Sequence, residues 1–138
     1  MASVEMRREI SAAPAAVRAA MADTDAFMRA GGFDGVEVDG DRIHLQNGVG
    51  LLTIDLELRQ RPDADAAFAY EQVDGIFSSM DTRFSVAESD AGSVVTATTD
   101  FELDARVVGP ILDATVIKRQ RRSEIEGHFD YLEAADSA

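Results

Sequence analysis

The sequence contains two histidines, His44 and His128, and neither has the neighbours that histidine chemistry requires. A histidine metal site needs a second ligand at a short spacing, such as His-x-x-x-His, and no such pair occurs. The Gly-x-Ser-x-Gly turn of many serine hydrolases is absent, and the lack of cysteine excludes disulfides and thiolate chemistry. We therefore predict no catalytic residue, no metal site and no cofactor. Both histidines are expected at the surface or at the rim of a site.

Arg8 is the candidate ligand-binding residue. It lies on the apolar face of the first predicted strand, between Met6 and Ile10. Because a buried guanidinium without a partner is very costly, it requires either a carboxylate or an anionic ligand. The two interpretations are a salt bridge near the end of the strand and a clamp for the carboxylate of a ligand.

Other polar residues that a binding pocket could use fall in predicted strands and in one basic run. The strand residues are Tyr70, Thr82, Thr99 and Asp100. A tyrosine is suited to the boundary between apolar and polar ends of a pocket, but no pair specifies proton transfer. The basic run 118–122 spreads over all faces of a helix, so it is either a solvated segment or a source of two arginines, Arg119 and Arg122, that reach over a cavity mouth.

The elements that position these residues follow from hydrophobic periodicity and turn signals. The predicted strands are Val4–Ile10, Val36–Asp39, Arg42–Gln46, Val49–Arg61, Ala66–Val73, Ile76–Glu88 and Ser93–Leu103. Asn47-Gly48 is the strongest hairpin signal. Two short helices are predicted after the first strand, over Pro14–Met21 and then through Met28 with Asp23 or Thr24 as the cap. The links between the later strands are too short for parallel crossovers, so the sheet is expected to be antiparallel.

Alternation also predicts which strand residues face the core. The inward sets are Leu52, Ile54, Leu56 and Leu58; Met80, Thr82, Phe84 and Val86; Val95, Ala97, Thr99, Phe101 and Leu103; and, less clearly, Phe68 and Tyr70. These residues either fill a core or line a pocket with a few polar anchors.

The last predicted element is a helix over Ile111–Glu133, which opens with Gly109-Pro110. Its predicted apolar stripe comprises Ile111, Thr115, Ile125, Phe129 and Leu132, and it is interrupted by Lys118 and Arg122. A glycine within a helix costs about 1 kcal/mol relative to alanine, so Gly127 is expected where the helix packs closely against another element.

The order of elements, a strand, two short helices, six antiparallel strands and a long helix, resembles the START-like (SRPBCC) superfamily of polyketide cyclases/dehydrases and lipid-transport proteins. Three segments carry the resemblance: the step from Ile10 to Val17 through Ala13-Pro14, the run 75–86, and 92–96 with the later Gly109-Pro110 step. The resemblance covers about residues 4–135. It implies an α+β helix-grip fold, in which a curved seven-stranded antiparallel sheet surrounds the long helix, and an internal cavity for an apolar ligand.

Charge restricts the partners. Asp and Glu total 26 against 13 Lys and Arg, a formal charge of −13 over 138 residues. Nucleic acid and anionic membranes are disfavoured because both bind cationic surfaces. There is no apolar run near the ~18 residues of a membrane span and no signal-peptide pattern. We expect a single cytoplasmic domain, and its oligomeric state stays open.

The acidic composition also predicts a particular environment. A large net charge destabilises a compact chain by self-repulsion, and molar salt shortens the Debye length to ~3 Å. The composition is therefore typical of a haloarchaeal protein adapted to molar salt. The alternative is an ordinary acidic bacterial protein.

Taken together, these observations favour binding of a hydrophobic small molecule, such as a lipid, an isoprenoid, a quinone or a fatty acid, between the sheet and the last helix. Its polar end would lie near Arg8, Tyr70 or Arg122. The alternatives are an enzyme of the polyketide cyclase/dehydratase kind, which needs an acid/base pair inside the cavity, and an interaction module, which needs a large exposed apolar patch.

Overall fold

The computed structural model describes residues 1–63, 65–110 and 112–135. In chain order the elements are β1 (Ala2–Ile10), α1 (Pro14–Ala22), α2 (Thr24–Arg29), β2 (Gly35–Asp39), β3 (Arg42–Val49), β4 (Leu52–Gln60), β5 (Phe68–Asp74), β6 (Phe77–Ser89), β7 (Gly92–Leu103) and α3 (Ala114–Ala134). The seven strands form one antiparallel sheet in the order β1-β7-β6-β5-β4-β3-β2. The predicted α+β helix-grip fold is confirmed, with the curved sheet packed around α3.

The turn between β3 and β4 is at Gly50-Leu51, so the predicted turn at Asn47-Gly48 is wrong. β3 continues to Val49, and in the observed register Leu45 pairs with Leu56. Gly50 has a φ of 63°, which suits the first position of a two-residue hairpin turn. Because a shift of one residue would turn every side chain to the other face, this register is favoured by the apolar residues that it brings together.

The predicted inward faces are confirmed for most of their members. The buried members are Ile54, Leu58, Phe68, Tyr70, Met80, Thr82, Phe84, Val95, Ala97, Thr99 and Phe101. Leu52 is an exception, with 37% of its surface exposed, because it is the first residue after the hairpin turn. Leu56, Val86 and Leu103 are half-buried. The buried apolar members form one core with the apolar residues of α3, and Leu56, Val86 and Leu103 pack against it.

The long helix starts later than predicted. The carboxylate of Asp113 accepts a hydrogen bond from the Val116 amide at 3.0 Å and caps α3, as short acidic side chains do at helix starts. Ile111 lies outside the described residues, and Thr115 is exposed, so the predicted stripe is wrong at Thr115. The buried face of α3 comprises Ile117, Arg121, Glu124, Ile125, His128, Phe129 and Leu132.

Gly127 lies where α3 approaches the end of α2. A methyl group at this position would come within 2.2 Å of the Ala30 carbonyl oxygen. The prediction of close packing at Gly127 is therefore confirmed. Among the described helices, none is both long enough and apolar enough to cross a bilayer.

Candidate functional site

A cavity lies between strands β3–β6 and the first half of α3. Its apolar wall is formed by Phe33, Leu45, Val49, Ile54, Leu56, Leu58, Ile76, Phe77, Met80 and Ile117. The cavity volume is about 40 Å³. The empty space reaches about 490 Å³ when the open mouth is included. The cavity is therefore a narrow slot with room for a few waters, and a larger molecule has to displace side chains of the wall.

The polar part of the cavity is built on an ion pair within α3. Arg121 and Glu124 are one helical turn apart, and the guanidinium donates to the carboxylate at 2.6 Å. Both residues line the cavity, and only 7% of Arg121 and 4% of Glu124 is exposed. A charged pair this deeply buried requires further hydrogen bonds to offset the loss of hydration.

Strand residues supply those hydrogen bonds to Arg121. Its second terminal nitrogen, Nη2, donates to the Tyr70 hydroxyl at 2.9 Å and to the Thr82 hydroxyl at 3.3 Å. Thr82 is also hydrogen-bonded to Thr99 across β6 and β7 at 2.8 Å. The three hydroxyls thus hold the guanidinium against the sheet. Burial lowers the Arg121 pKa, but Tyr70 and Glu124 outweigh it, so the pKa is above its ordinary value and the group is charged.

Glu124 accepts hydrogen bonds at both carboxylate oxygens. Besides Arg121, the Asn47 amide donates at 3.1 Å and the Gln120 amide at 3.3 Å. Burial raises the pKa of Glu124 above its ordinary value, and the charge of Arg121 opposes that shift. Because all three partners are donors, their hydrogen bonds favour the ionised form of the carboxylate and oppose the effect of burial.

The pair leaves one donor unused. The buried Arg121 Nε has no hydrogen-bond partner among the described residues. The Tyr70 hydroxyl accepts from Arg121, so its own proton is available to an acceptor. Two residues that line the slot, Arg121 and Tyr70, therefore each carry a hydrogen-bond donor without an acceptor among the described residues.

Of the polar strand residues singled out from sequence, Tyr70 lines the cavity, and Thr82 and Thr99 support it through Arg121. Asp100 does not take part. It follows Thr99 on β7 and therefore points to the opposite face of the sheet, where it is half-buried. Arg119 and Arg122, the two arginines considered for the cavity mouth, are exposed and are not among the lining residues.

The two charged residues of the site, Arg121 and Glu124, were not predicted from the sequence. Arg121 was grouped with the basic run 118–122. The spacing that indicates its burial is that Arg121 lies four residues after Ile117 and four before Ile125. This spacing places Arg121 on the same helix face as the two isoleucines. A glutamate three residues later is a suitable partner on that face.

Arg8 forms a salt bridge, which was one of its two predicted interpretations. Its guanidinium donates to Glu126 at 2.6 Å and to Asp130 at 2.8 Å, both on α3, and lies 5.2 Å from the centre of the Phe129 ring. Arg8 is not among the residues that line the cavity. Three carboxylates, with Glu133 as the third at 3.4 Å, occupy the guanidinium.

The two histidines differ in their surroundings. His44 is partly exposed on β3 and its Nε2 lies 2.9 Å from the Asp55 carboxylate, as expected for a surface residue. The expectation is wrong for His128, which is fully buried. Its Nδ1 donates to the Phe27 carbonyl at 2.8 Å, and its ring packs against Phe27 and Phe84. Burial and the charge of Arg121 lower the His128 pKa to about 3, so the ring is neutral.

Solved structures show the same fold at low sequence identity. A START superfamily protein from Mycobacterium smegmatis is 15% identical with a TM-score of 0.72, and the match covers 96% of this chain and 94% of that chain. The Zhui aromatase/cyclase from a Streptomyces species is 18% identical with a TM-score of 0.73, with the same coverage. The protein TTHA0849 from Thermus thermophilus is 17% identical with a TM-score of 0.75, covering 97% of this chain and 99% of that chain.

The comparison with curated proteins yields no significant match. The comparison with family models does. The model described as polyketide cyclase/dehydrase and lipid transport matches residues 1–135, almost the whole sequence. Together with the helix-grip fold and its apolar slot, this match shows that the chain belongs to the polyketide cyclase/dehydrase and lipid transport family.

Proposed function

We propose that the protein binds an apolar small molecule in the slot between the sheet and α3, without transforming it. The observation that carries this proposal is the composition of the slot. Its wall is apolar, and its polar groups are concentrated around Arg121, Glu124 and Tyr70. Ligand pockets typically combine such a wall with a few polar groups that orient the ligand.

The apolar residues of the lining determine the expected binding free energy. Burial of apolar surface contributes ~25 cal/mol per Å², so an alkyl or ring system placed against Leu58, Met80 and Ile117 supplies most of the affinity. The polar end then lies beside Arg121 and Tyr70, where the two unused donors are. Of the three positions predicted from the sequence, near Arg8, Tyr70 or Arg122, this proposal uses the one near Tyr70. A role for Arg8 in ligand binding remains a prediction.

The test is to analyse the purified protein by native mass spectrometry and to identify any bound compound after organic extraction. We expect an apolar molecule to bind wild-type protein and to be lost from Leu56→Phe, which fills the slot. Leu51→Phe is the matched control because Leu51 is 98% exposed. A protein that neither carries nor takes up any apolar compound would contradict the proposal.

A second candidate function is catalysis of the polyketide cyclase/dehydratase kind. The observation that favours it is a carboxylate and a phenol in the same cavity: Glu124, whose pKa is raised by burial, and Tyr70. A glutamate with a raised pKa can act as a general base, and a neighbouring guanidinium can stabilise an enolate. Turnover of a poly-β-ketone substrate that is abolished by both Glu124→Gln and Tyr70→Phe would establish it. His44 is partly exposed and does not line this cavity.

We further propose that the acidic surface adapts the protein to the cytoplasm of a salt-accumulating organism such as a haloarchaeon. The formal charge of −13 supports this proposal, since screening by molar salt removes most of the repulsion between exposed carboxylates. The same charge supports the prediction that nucleic acid is not a partner.

A further inference from the structure

We infer, building on the proposed function, that the polar end of the ligand is neutral and carries an acceptor oxygen, as in a ketone, quinone or ester, and that a carboxylate is rejected. The inference concerns which of the apolar molecules considered above the slot accepts. It follows from the charges and the unused hydrogen-bond donors of the cavity.

The charges of the cavity already balance. Arg121 and Glu124 are the two charged residues among the described residues of the lining, and they neutralise each other at 2.6 Å. A carboxylate placed beside them would leave one negative charge uncompensated in a mostly apolar cavity that has room for only a few waters. Burial of such a charge is strongly unfavourable.

Other cations do not compensate for an added negative charge. Arg8 is occupied by three carboxylates of α3 and lies outside the lining. Arg119 and Arg122 are exposed. The buried His128 is neutral because it donates through Nδ1 to a carbonyl while its Nε2 has no partner among the described residues.

The unsatisfied groups of the cavity are donors. Arg121 Nε lacks an acceptor within the described part of the chain, and the Tyr70 proton is available because that hydroxyl accepts from Arg121. Glu124, in contrast, already accepts from Arg121, Asn47 and Gln120. A carbonyl oxygen satisfies buried donors without adding charge, and leaving such donors unpaired is costly.

The experiment compares two probes with the same alkyl tail, methyl nonyl ketone and decanoate, by NMR titration of the wild-type protein at pH 8. We expect the ketone to bind at least tenfold more tightly. In Glu124→Gln, which keeps the shape but leaves Arg121 without a counter-charge, we expect the order to reverse. Glu126→Gln is the control, because it removes one exposed carboxylate from the same helix outside the cavity.

The outcomes separate this inference from the proposed function. Equal or tighter binding of decanoate by the wild type overturns the inference and leaves ligand binding standing. An unchanged preference in a folded Glu124→Gln also overturns it. If neither probe binds to any variant, both the inference and the proposed function fall. The comparison in wild-type protein requires no substitution, so it decides the question even if Glu124→Gln does not fold.

Discussion

Arg121 and Glu124, one turn apart on α3, form an ion pair with a separation of 2.6 Å inside the apolar slot. Both residues are buried. Each side chain also has a hydrogen-bond partner on the sheet, which is Tyr70 for the guanidinium and Asn47 for the carboxylate. The pair therefore connects α3 to β3 and β5 through the site itself.

Removal of one member of this pair is expected to destabilise the fold strongly. Glu124→Ala leaves a buried guanidinium without its counter-charge, and we expect a loss of about 3–5 kcal/mol in the free energy of unfolding. Urea unfolding monitored by circular dichroism measures it. Asp25→Ala is the matched control because the Arg29–Asp25 pair is exposed, so little change is expected. A loss in Glu124→Ala no larger than in the control would contradict the buried ion pair.

The stability of the protein is expected to fall in mild acid because of His128. Its pKa is about 3 in the folded protein and about 6.5 in the unfolded chain. The unfolded chain therefore binds one more proton between these values, and stability present above pH ~6.5 is lost progressively as the pH falls toward 3. The slope approaches about 1.4 kcal/mol per pH unit within this window.

The substitution that checks this origin is His128→Asn, whose amide can still donate to the Phe27 carbonyl. We expect the slope of the unfolding free energy between pH 6 and pH 4 to decrease by about one proton. His44→Asn, at the partly exposed histidine, is the control for replacing a histidine outside the core. The same slope in His128→Asn and wild type would show that other groups dominate acid unfolding.

Gly127→Ala is expected to destabilise the protein although alanine favours helices. The gain in helix propensity is about 1 kcal/mol, but the new methyl group would lie 2.2 Å from the Ala30 carbonyl oxygen. Separating α3 from the end of α2 is expected to cost about 1–3 kcal/mol net. Thermal unfolding measures the effect. Gly109→Ala, where an added methyl group meets nothing within 4 Å, is the control, and a stabilised Gly127→Ala would exclude the close approach.

Salt is expected to stabilise the protein if the proposed adaptation is correct. The formal charge of −13 produces repulsion that ions screen, so the midpoint of thermal unfolding is expected to rise between low salt and about 2 M KCl. The same series in sodium sulfate and in KCl separates screening from the general effect of excluded salts. Equal stability at low and high KCl would refute the adaptation.

The sequence predicted the architecture well because its strands alternate clearly and their links are short. It failed where tertiary contacts outweighed local signals. Asn47-Gly48 has the composition of a hairpin turn, but its asparagine donates to Glu124 and its glycine amide donates to Asp34. These contacts hold the segment within β3, and the turn forms at Gly50-Leu51.

The polar part of the site was only partly predictable. Tyr70 was identified because tyrosine suits the boundary between polar and apolar regions. Arg121 belongs to the basic run 118–122 and was not predicted to face inward. The predicted stripe was right at Ile125, Phe129 and Leu132, but the first half of α3 buries Ile117 and Arg121 instead of Thr115. The burial of His128 was not predicted, because its aromatic neighbours, Phe27 and Phe84, come from distant segments of the chain.

The most direct test of the account is to locate a bound ligand by intermolecular nuclear Overhauser effects in the complex with methyl nonyl ketone. We predict contacts from the alkyl tail to the methyl groups of Leu58 and Ile117, together with a shift of the Arg121 Nε resonance. Contacts confined to the exposed Leu51, with the Arg121 resonance unchanged, would contradict binding in the slot.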